Sequence, residues 1–327
     1  MTKERTIRSA VIPPPVAGWN TKDPISAMDS TFAVELENYF PGQGTVSLRN
    51  GYTRHVYTAA TTGYTHLAAY SNSAGTRFLI GLLGSSGTPV NVTSAGGGTA
   101  IGGGFTTGSP ENYSVNFKNL LFIKGYAAND LMYTDGTTAT LPGFVGPSGD
   151  DKELWRITTY KGRLYFLTTT DASMYYADHD SISGALTKYD LSLLFTLGGK
   201  PWYIGPFSMS GGDITQNYLA AISEQGEVIL FSGAYPGFTE WDIVGKYYMA
   251  APVGRQSFFN WGTDIVVITY DGLVSLRDIV NAPQSEYVFL SDNIASAFKT
   301  EVLASVAAGY SNYTQGVVYP KGQYLII

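Results

Sequence analysis

The chain has 327 residues, of which 44% are hydrophobic and only 14% charged, and a formal net charge of −6. Without a Lys/Arg-rich run, that balance argues against a nucleic-acid grip through counterion release. The complete lack of cysteine excludes a disulfide framework, a thiolate metal site and a cysteine nucleophile. An average soluble protein is about a quarter charged. The low charge here, with 38 glycines and 24 tyrosines, reads as strands joined by turns under a neutral polar surface suited to assembly.

The chain opens with MTKERTIRSAVIPPP, whose apolar part, Ala10 to Ile12, is too short for the core of a signal peptide. No apolar run approaches the roughly 18 residues of a membrane-spanning helix. The product is therefore expected to stay where it is made or to leave inside a larger particle. The next stretch, GWNTKDPISAMDSTFAVELENYFP from Gly18 to Pro41, is dense, charge-bearing and unlike anything later in the chain. Pro13, Pro14, Pro15 and Pro24 hold it extended and remove ladder donors, freeing it to lie along another surface. Trp19, Phe32, Leu36, Tyr39 and Phe40 give it apolar anchors of the kind that dominate interfaces. Within it, Ser30 to Asn38 reads as a short helix with Ser30 as its N-cap. Residues 1–62 are thus an extended arm and a clamp to a neighbour. The competing reading is an arm that packs across its own domain and supplies a closing strand.

From Tyr64 onward one pattern recurs: apolar strand, turn, apolar strand, turn, aromatic-rich strand. The first copy is HLAAY, TRFLIGLL and TPVNVT, and Gly84 to Gly108 around its end reads as a Gly/Ser/Thr-rich insertion of long blade loops. The next two copies run from Tyr113 to Pro142 and from Leu154 to Asp180, with Lys-Asn and Lys-Gly turns. Later copies turn on Gln225-Gly226, Trp261-Gly262, Asp271-Gly272 and Pro320-Lys321-Gly322. Comparable points near Ala69, Val115, Thr158, Phe207 and Phe258 lie roughly 40 to 50 residues apart, the spacing of four-stranded propeller blades. One meander of this size cannot bury both faces, so the copies must stack, and a radial stack shields its edges. The expected fold is all-β: a β-propeller of five to six blades over residues 63–327, the last cut short at Ile327, behind the extended N-terminal arm. One further helix is expected from Ala295 to Ala304.

Candidates for chemistry are sparse. His55, His66 and His179 stand in three unrelated contexts, without an HExxH or GxSxG pattern, and read as surface or turn residues. Asp178, Asp180 and Asp190 fall in ADHDSISG and beyond, but Ile182 occupies a position where a calcium loop needs oxygen, so this is a blade-connecting turn. A sialidase-type aspartate box is absent, and Trp241-Asp242 is a lone instance rather than a WD repeat. Tyr175-Tyr176 and Tyr247-Tyr248 read as core and blade packing before sugar stacking. No enzyme activity, cofactor or metal is expected.

The order Gly18-Trp19-Asn20-Thr21-Lys22-Asp23-Pro24, then Ala27-Met28, Ala33, Leu36-Glu37-Asn38-Tyr39-Phe40-Pro41, Leu48-Arg49 and Gly51-Tyr52 resembles the tail-nozzle or tail-hub proteins of short-tailed bacteriophages. These are also called packaged-DNA stabilisation or head-closure proteins. The sharp resemblance covers about residues 16–52, with LSDNI (Leu290 to Ile294) and VVYPKGQYLII similar to that family's last blade. It implies a structural virion protein, a β-propeller, and a homo-oligomeric ring of six copies in the virion tail, assembled in the host cytoplasm. Its implied partners are the portal or head-tail adaptor and the tail fibres or tailspikes, with double-stranded DNA passing through the lumen without sequence-specific contact. The clamp residues it implies are Trp19, Asn20, Asp23, Pro24, Phe32, Leu36, Glu37, Asn38, Tyr39, Phe40 and Pro41. Two other readings stay open: a glycan-binding or glycan-cleaving propeller for host-surface recognition, and a cellular propeller scaffold.

Overall fold

The computed structural model describes the chain apart from residues 1–11, 56–62, 85–86, 103–110, 127–129, 147–148, 150, 212–213, 283–287, 320–323 and 327. The repeating strands form a β-propeller of five blades, each an antiparallel meander. Blade 1 comprises Tyr64–Ser71, Arg77–Leu83, Pro89–Asn91 and Thr99–Ala100. Blade 2 comprises Asn112–Phe117, Leu120–Gly125, Leu131–Thr134 and Ala139–Thr140. Blade 3 comprises Leu154–Tyr160, Arg163–Thr168, Ser173–Tyr176 and Thr187–Asp190. Blade 4 comprises Pro201–Gly211, Ile214–Ser223, Glu227–Ser232 and Asp242–Tyr248. Blade 5 has three strands, Phe258–Trp261, Asp264–Ile268 and Leu273–Ser275. Ala69, Val115, Thr158, Phe207 and Phe258 each fall in the first strand of a blade.

Turn chemistry sets the hairpins. In blades 2 and 3 the pairs Lys118-Asn119 and Lys161-Gly162 have positive φ at both positions (50° and 60°, 43° and 75°). That is the geometry whose twist matches the flanking strands. Gly226 has φ 84°, and a Cβ there would lie 2.3 Å from the Met249 carbonyl oxygen, so only glycine fits.

Alternation then builds the core between blades. Ile265 and Val267 point towards blade 4, joining Tyr203, Phe207 and Val228. Their neighbours Val266 and Ile268 point the other way, where no further blade follows. Instead a helix covers that face: Phe298 and Val302 are buried against Val266, Ile268 and Phe259. The helix, α2, runs Ala295–Ala307, close to the expected window. A shorter helix, α1, Leu276–Asn281, is capped by Ser275, whose side chain accepts from Asp278 N, and packs Leu276 and Ile279 into the blade 4–5 core. Strands Val317–Tyr319 and Tyr324–Ile326 form a last hairpin, whose turn at Pro320-Lys321-Gly322 lies outside the described residues.

Three local expectations are corrected. Ser30 to Asn38 is not helical: Phe32–Ala33 pairs in parallel with Gly18–Trp19, and Asn38 turns the chain at φ 59°. The Gly84 to Gly108 region is not only loop, because Pro89–Asn91 and Thr99–Ala100 are the outer strands of blade 1. His66 is neither a surface nor a turn residue; it sits in the first strand of blade 1 against Ser114 Oγ at 3.1 Å, and burial pushes its pKa down to about 4.

Candidate interaction arm and its groove

The arm folds locally around Asn20. Its Oδ1 accepts the backbone N–H groups of Lys22 (2.9 Å) and Asp23 (3.1 Å), and its Nδ2 donates to Asp23 Oδ2 at 2.8 Å. This Asx turn explains the Asn-Thr-Lys-Asp spacing, and Asn20 itself is buried. Trp19 Nε1 donates to the Val34 carbonyl at 2.8 Å, tying the two short parallel strands together. Asp29 Oδ1 accepts from Thr31 N and Oγ1 at 2.8 and 2.7 Å, and these bonds hold its pKa below the usual carboxylate value.

Two contacts staple this turn to the far end of the chain. Thr21 N donates to the Asn293 carbonyl at 2.8 Å, and Lys22 Nζ meets Asp292 Oδ2 at 2.5 Å, a hydrogen-bonded pairing that raises the lysine pKa. Thr21 and Lys22 belong to the resembling motif but not to its implied clamp residues, and their partners lie in the last forty or so residues.

Beyond the staple the arm is scarcely covered. Of the clamp residues, Asp23, Pro24, Glu37, Asn38 and Tyr39 are exposed, while Phe32, Leu36, Phe40 and Pro41 are half-buried. Exposure reaches 76% for Ile25, 63% for Leu48 and 87% for Tyr52. Strands Tyr39–Gly42 and Thr45–Leu48 form a hairpin with no third strand among the described residues. A lone two-stranded hairpin is marginal in water.

Where the staple meets α2, the structure opens a groove of about 650 Å³. Trp19, Phe298, Val302, Tyr310 and Tyr313 are among the residues that line it. Glu301 is its one carboxylate. Such a surface suits apolar and aromatic side chains accompanied by a cation.

A second concavity, of about 280 Å³, lies where the first strands converge, lined by Tyr126, Trp155, Trp202, Lys200, Glu224 and Arg255. Beside it two arginines link residues of several blades. Arg255 makes a bidentate pair with Glu111 at 2.6 Å for both bonds and lies 3.9 Å over the Tyr126 ring. Buried Arg156 donates to the carbonyls of Trp202 (3.4 Å) and Arg255 (3.2 Å) and sits 4.3 Å over Tyr203. Burial pulls its pKa below the ordinary guanidinium value. The cleft presents one carboxylate, Glu224, where glycoside hydrolysis uses a pair.

The other sequence candidates are dispersed. His55 contacts the Val92 carbonyl at 3.0 Å, His179 lies 3.4 Å from Asp180, and Asp178 and Asp180 pair with Arg163 and Lys118. Asp190 accepts from Ser192 N at 2.8 Å. Among the described residues no three His, Asp or Glu side chains converge on a metal-sized site. No described helix is long and apolar enough to cross a membrane. Tyr175 and Tyr176 are buried in blade packing, whereas Tyr248 is exposed.

No protein-family model matches the chain, and no curated protein does. Solved structures similar to it include BBS1N in complex with ARL6DN, at 12% identity over 65% of this chain and 64% of that one, with TM-score 0.41. YCF48 from Cyanidioschyzon merolae matches at 11% identity over 54% of each chain, with TM-score 0.35. The chain therefore spans less than two thirds of either structure. YCF48 bound to D1 peptide matches at 12% identity over 71% of this chain and 88% of that one, with TM-score 0.31. The likeness is one of fold alone.

Proposed function

We propose that the chain is a structural subunit of a short-tailed phage tail, several copies closing a ring around the DNA exit path between portal or adaptor and tail tip. The observation that carries this reading is the arm: a non-repeating segment, similar to the tail-nozzle proteins, that presents Ile25, Tyr39, Leu48 and Tyr52 to solvent instead of burying them. Apolar groups clustered in one exposed segment mark an interaction site. In the ring, the arm is the clamp to a neighbour, six copies follow from the resemblance, and retained DNA passes an acidic lumen that repels its phosphates. Cryo-EM of intact virions tests the proposal. Ring density for this chain at the tail axis is the expected result, and its absence from the particle overturns the reading.

A second reading, glycan recognition, draws on the polar, aromatic-lined cleft at Tyr126 and Trp202. Glycan-array binding that Trp202→Ala abolishes would establish it.

A further inference from the structure

The groove under Trp19 and the hairpin of the arm are a socket and a plug on one chain. With about 650 Å³, the socket falls within the roughly 300–1,000 Å³ of sites that hold a drug-sized ligand, so it has room for more than one large side chain. Its walls are apolar and aromatic, and Glu301 makes no ion pair among the described residues.

The hairpin is the complement. Its register pairs Tyr39 with Leu48 and Pro41 with Val46, which puts all four side chains on one face. Tyr39 and Leu48 are the most exposed of them. Arg49 follows directly, is exposed, and likewise makes no ion pair among the described residues.

In this structure the hairpin does not sit in its own chain's groove, whose lining includes none of residues 39–48. Pro41 packs beside Gly18, 3.7 Å from where a Cβ there would stand, so Tyr39 and Leu48 are the part of that face left open. Trp19, the residue after Gly18, lines the groove.

We propose that the groove receives the Tyr39/Leu48 face of the hairpin from a second copy of this chain, with that copy's Arg49 facing Glu301. The contact is heterologous, each copy giving a plug and offering a socket, and such contacts propagate around an axis until they close. This inference rests on the ring-forming reading and names the site at which the clamp acts.

The full chain carries its own test, because a cysteine-free background allows single-cysteine labelling. Leu48→Cys chains mixed with Ser305→Cys chains and a short bismaleimide are expected to give a covalent dimer, which Tyr39→Ser in the first chain suppresses. In sedimentation, Tyr39→Ser with Leu48→Ser is expected to weaken self-association about 100-fold. Glu301→Arg weakens it about tenfold, and adding Arg49→Glu to the same chain restores it. Unchanged thermal midpoints confirm that the variants stay folded. Three results overturn the proposal: a wild-type chain that is monomeric at every concentration, self-association indifferent to these substitutions, or an L48C/S305C chain that crosslinks only within itself at high dilution. Indifference to the substitutions leaves the ring standing with its contact elsewhere. Absence of the chain from virions removes the ring's place in the tail while leaving a measured plug-and-socket contact intact.

Discussion

Blade 4 and the arm handle apolar residues in opposite ways. In blade 4, Phe207, Leu219, Ile222 and Phe231 are fully buried, because both faces of the sheet are covered by neighbouring blades. In the arm, the comparably apolar Ile25, Tyr39, Leu48 and Tyr52 stand in solvent. The difference lies in connectivity rather than composition. Blade 4 gains stability from neighbours on either side, whereas the arm meets the rest of the chain through a few hydrogen bonds, at Thr21 and Lys22 and again at His55. Stability is therefore expected to reside in the blades and association in the arm.

The sharpest way to break this contrast is to truncate one large side chain in each region. Phe207→Ala is expected to cost about 3 to 5 kcal/mol of unfolding free energy, whereas Ile25→Ser stays within about 0.5 kcal/mol. Denaturant midpoints measure both, and equal losses would dissolve the distinction.

The Arg255–Glu111 pair offers the next test. Glu111→Ala leaves the Arg255 guanidinium without its carboxylate in a largely buried setting, and a loss of about 3 kcal/mol is expected. The double variant Glu111→Leu/Arg255→Met removes both charges and is expected to recover most of that loss. If it does not, the aromatic contact of Arg255 with Tyr126 matters more than the ion pair.

A smaller effect comes from His66 in blade 1. Its folded pKa of about 4 lies below the ordinary 6.5, so between those values the unfolded chain binds the extra proton. Stability is then full above pH 6.5, declines as pH falls through the window, and levels off below pH 4. For this half-buried ring the loss is about 2 kcal/mol. Thermal midpoints from pH 7 to 4 should show the decline in the wild type and a flatter profile in His66→Asn.

A small change in stability is expected from removing the arm. A chain lacking residues 1–55 should keep the propeller's thermal midpoint to within a few degrees, since every blade retains its strands, while self-association and incorporation into tails are lost. Unfolding of the truncated chain would show that the arm completes its own domain. Lys22→Ala should leave the midpoint unmoved.

Much of the propeller was legible in the sequence because its information is local. Lys118-Asn119 and Lys161-Gly162 announce two-residue hairpin turns by residue type, and the apolar runs either side of Gln225-Gly226 mark the two strands of a hairpin. The count of five required the tertiary structure, since only packing showed that α2, and not another blade, covers Val266 and Ile268. In the arm, Ser30 to Asn38 has helical spacing, but pairing of Phe32–Ala33 with Gly18–Trp19 overrides so short a propensity. The groove was unreadable for a different reason.

Residue types and their periods determined by themselves the strands, most turns, the α2 helix, the lack of thiol chemistry and the separate character of residues 18–41. Each of these follows from interactions within a few residues, which a linear chain records directly. The tertiary structure alone decided that Asn20 sets the turn whose neighbours reach Asp292 and Asn293, that Trp19 and Tyr310 share a groove, and that Arg156 reaches the Arg255 carbonyl. Those residues come from distant parts of the chain, and what brings them together is the summed packing of all five blades, which no local pattern encodes.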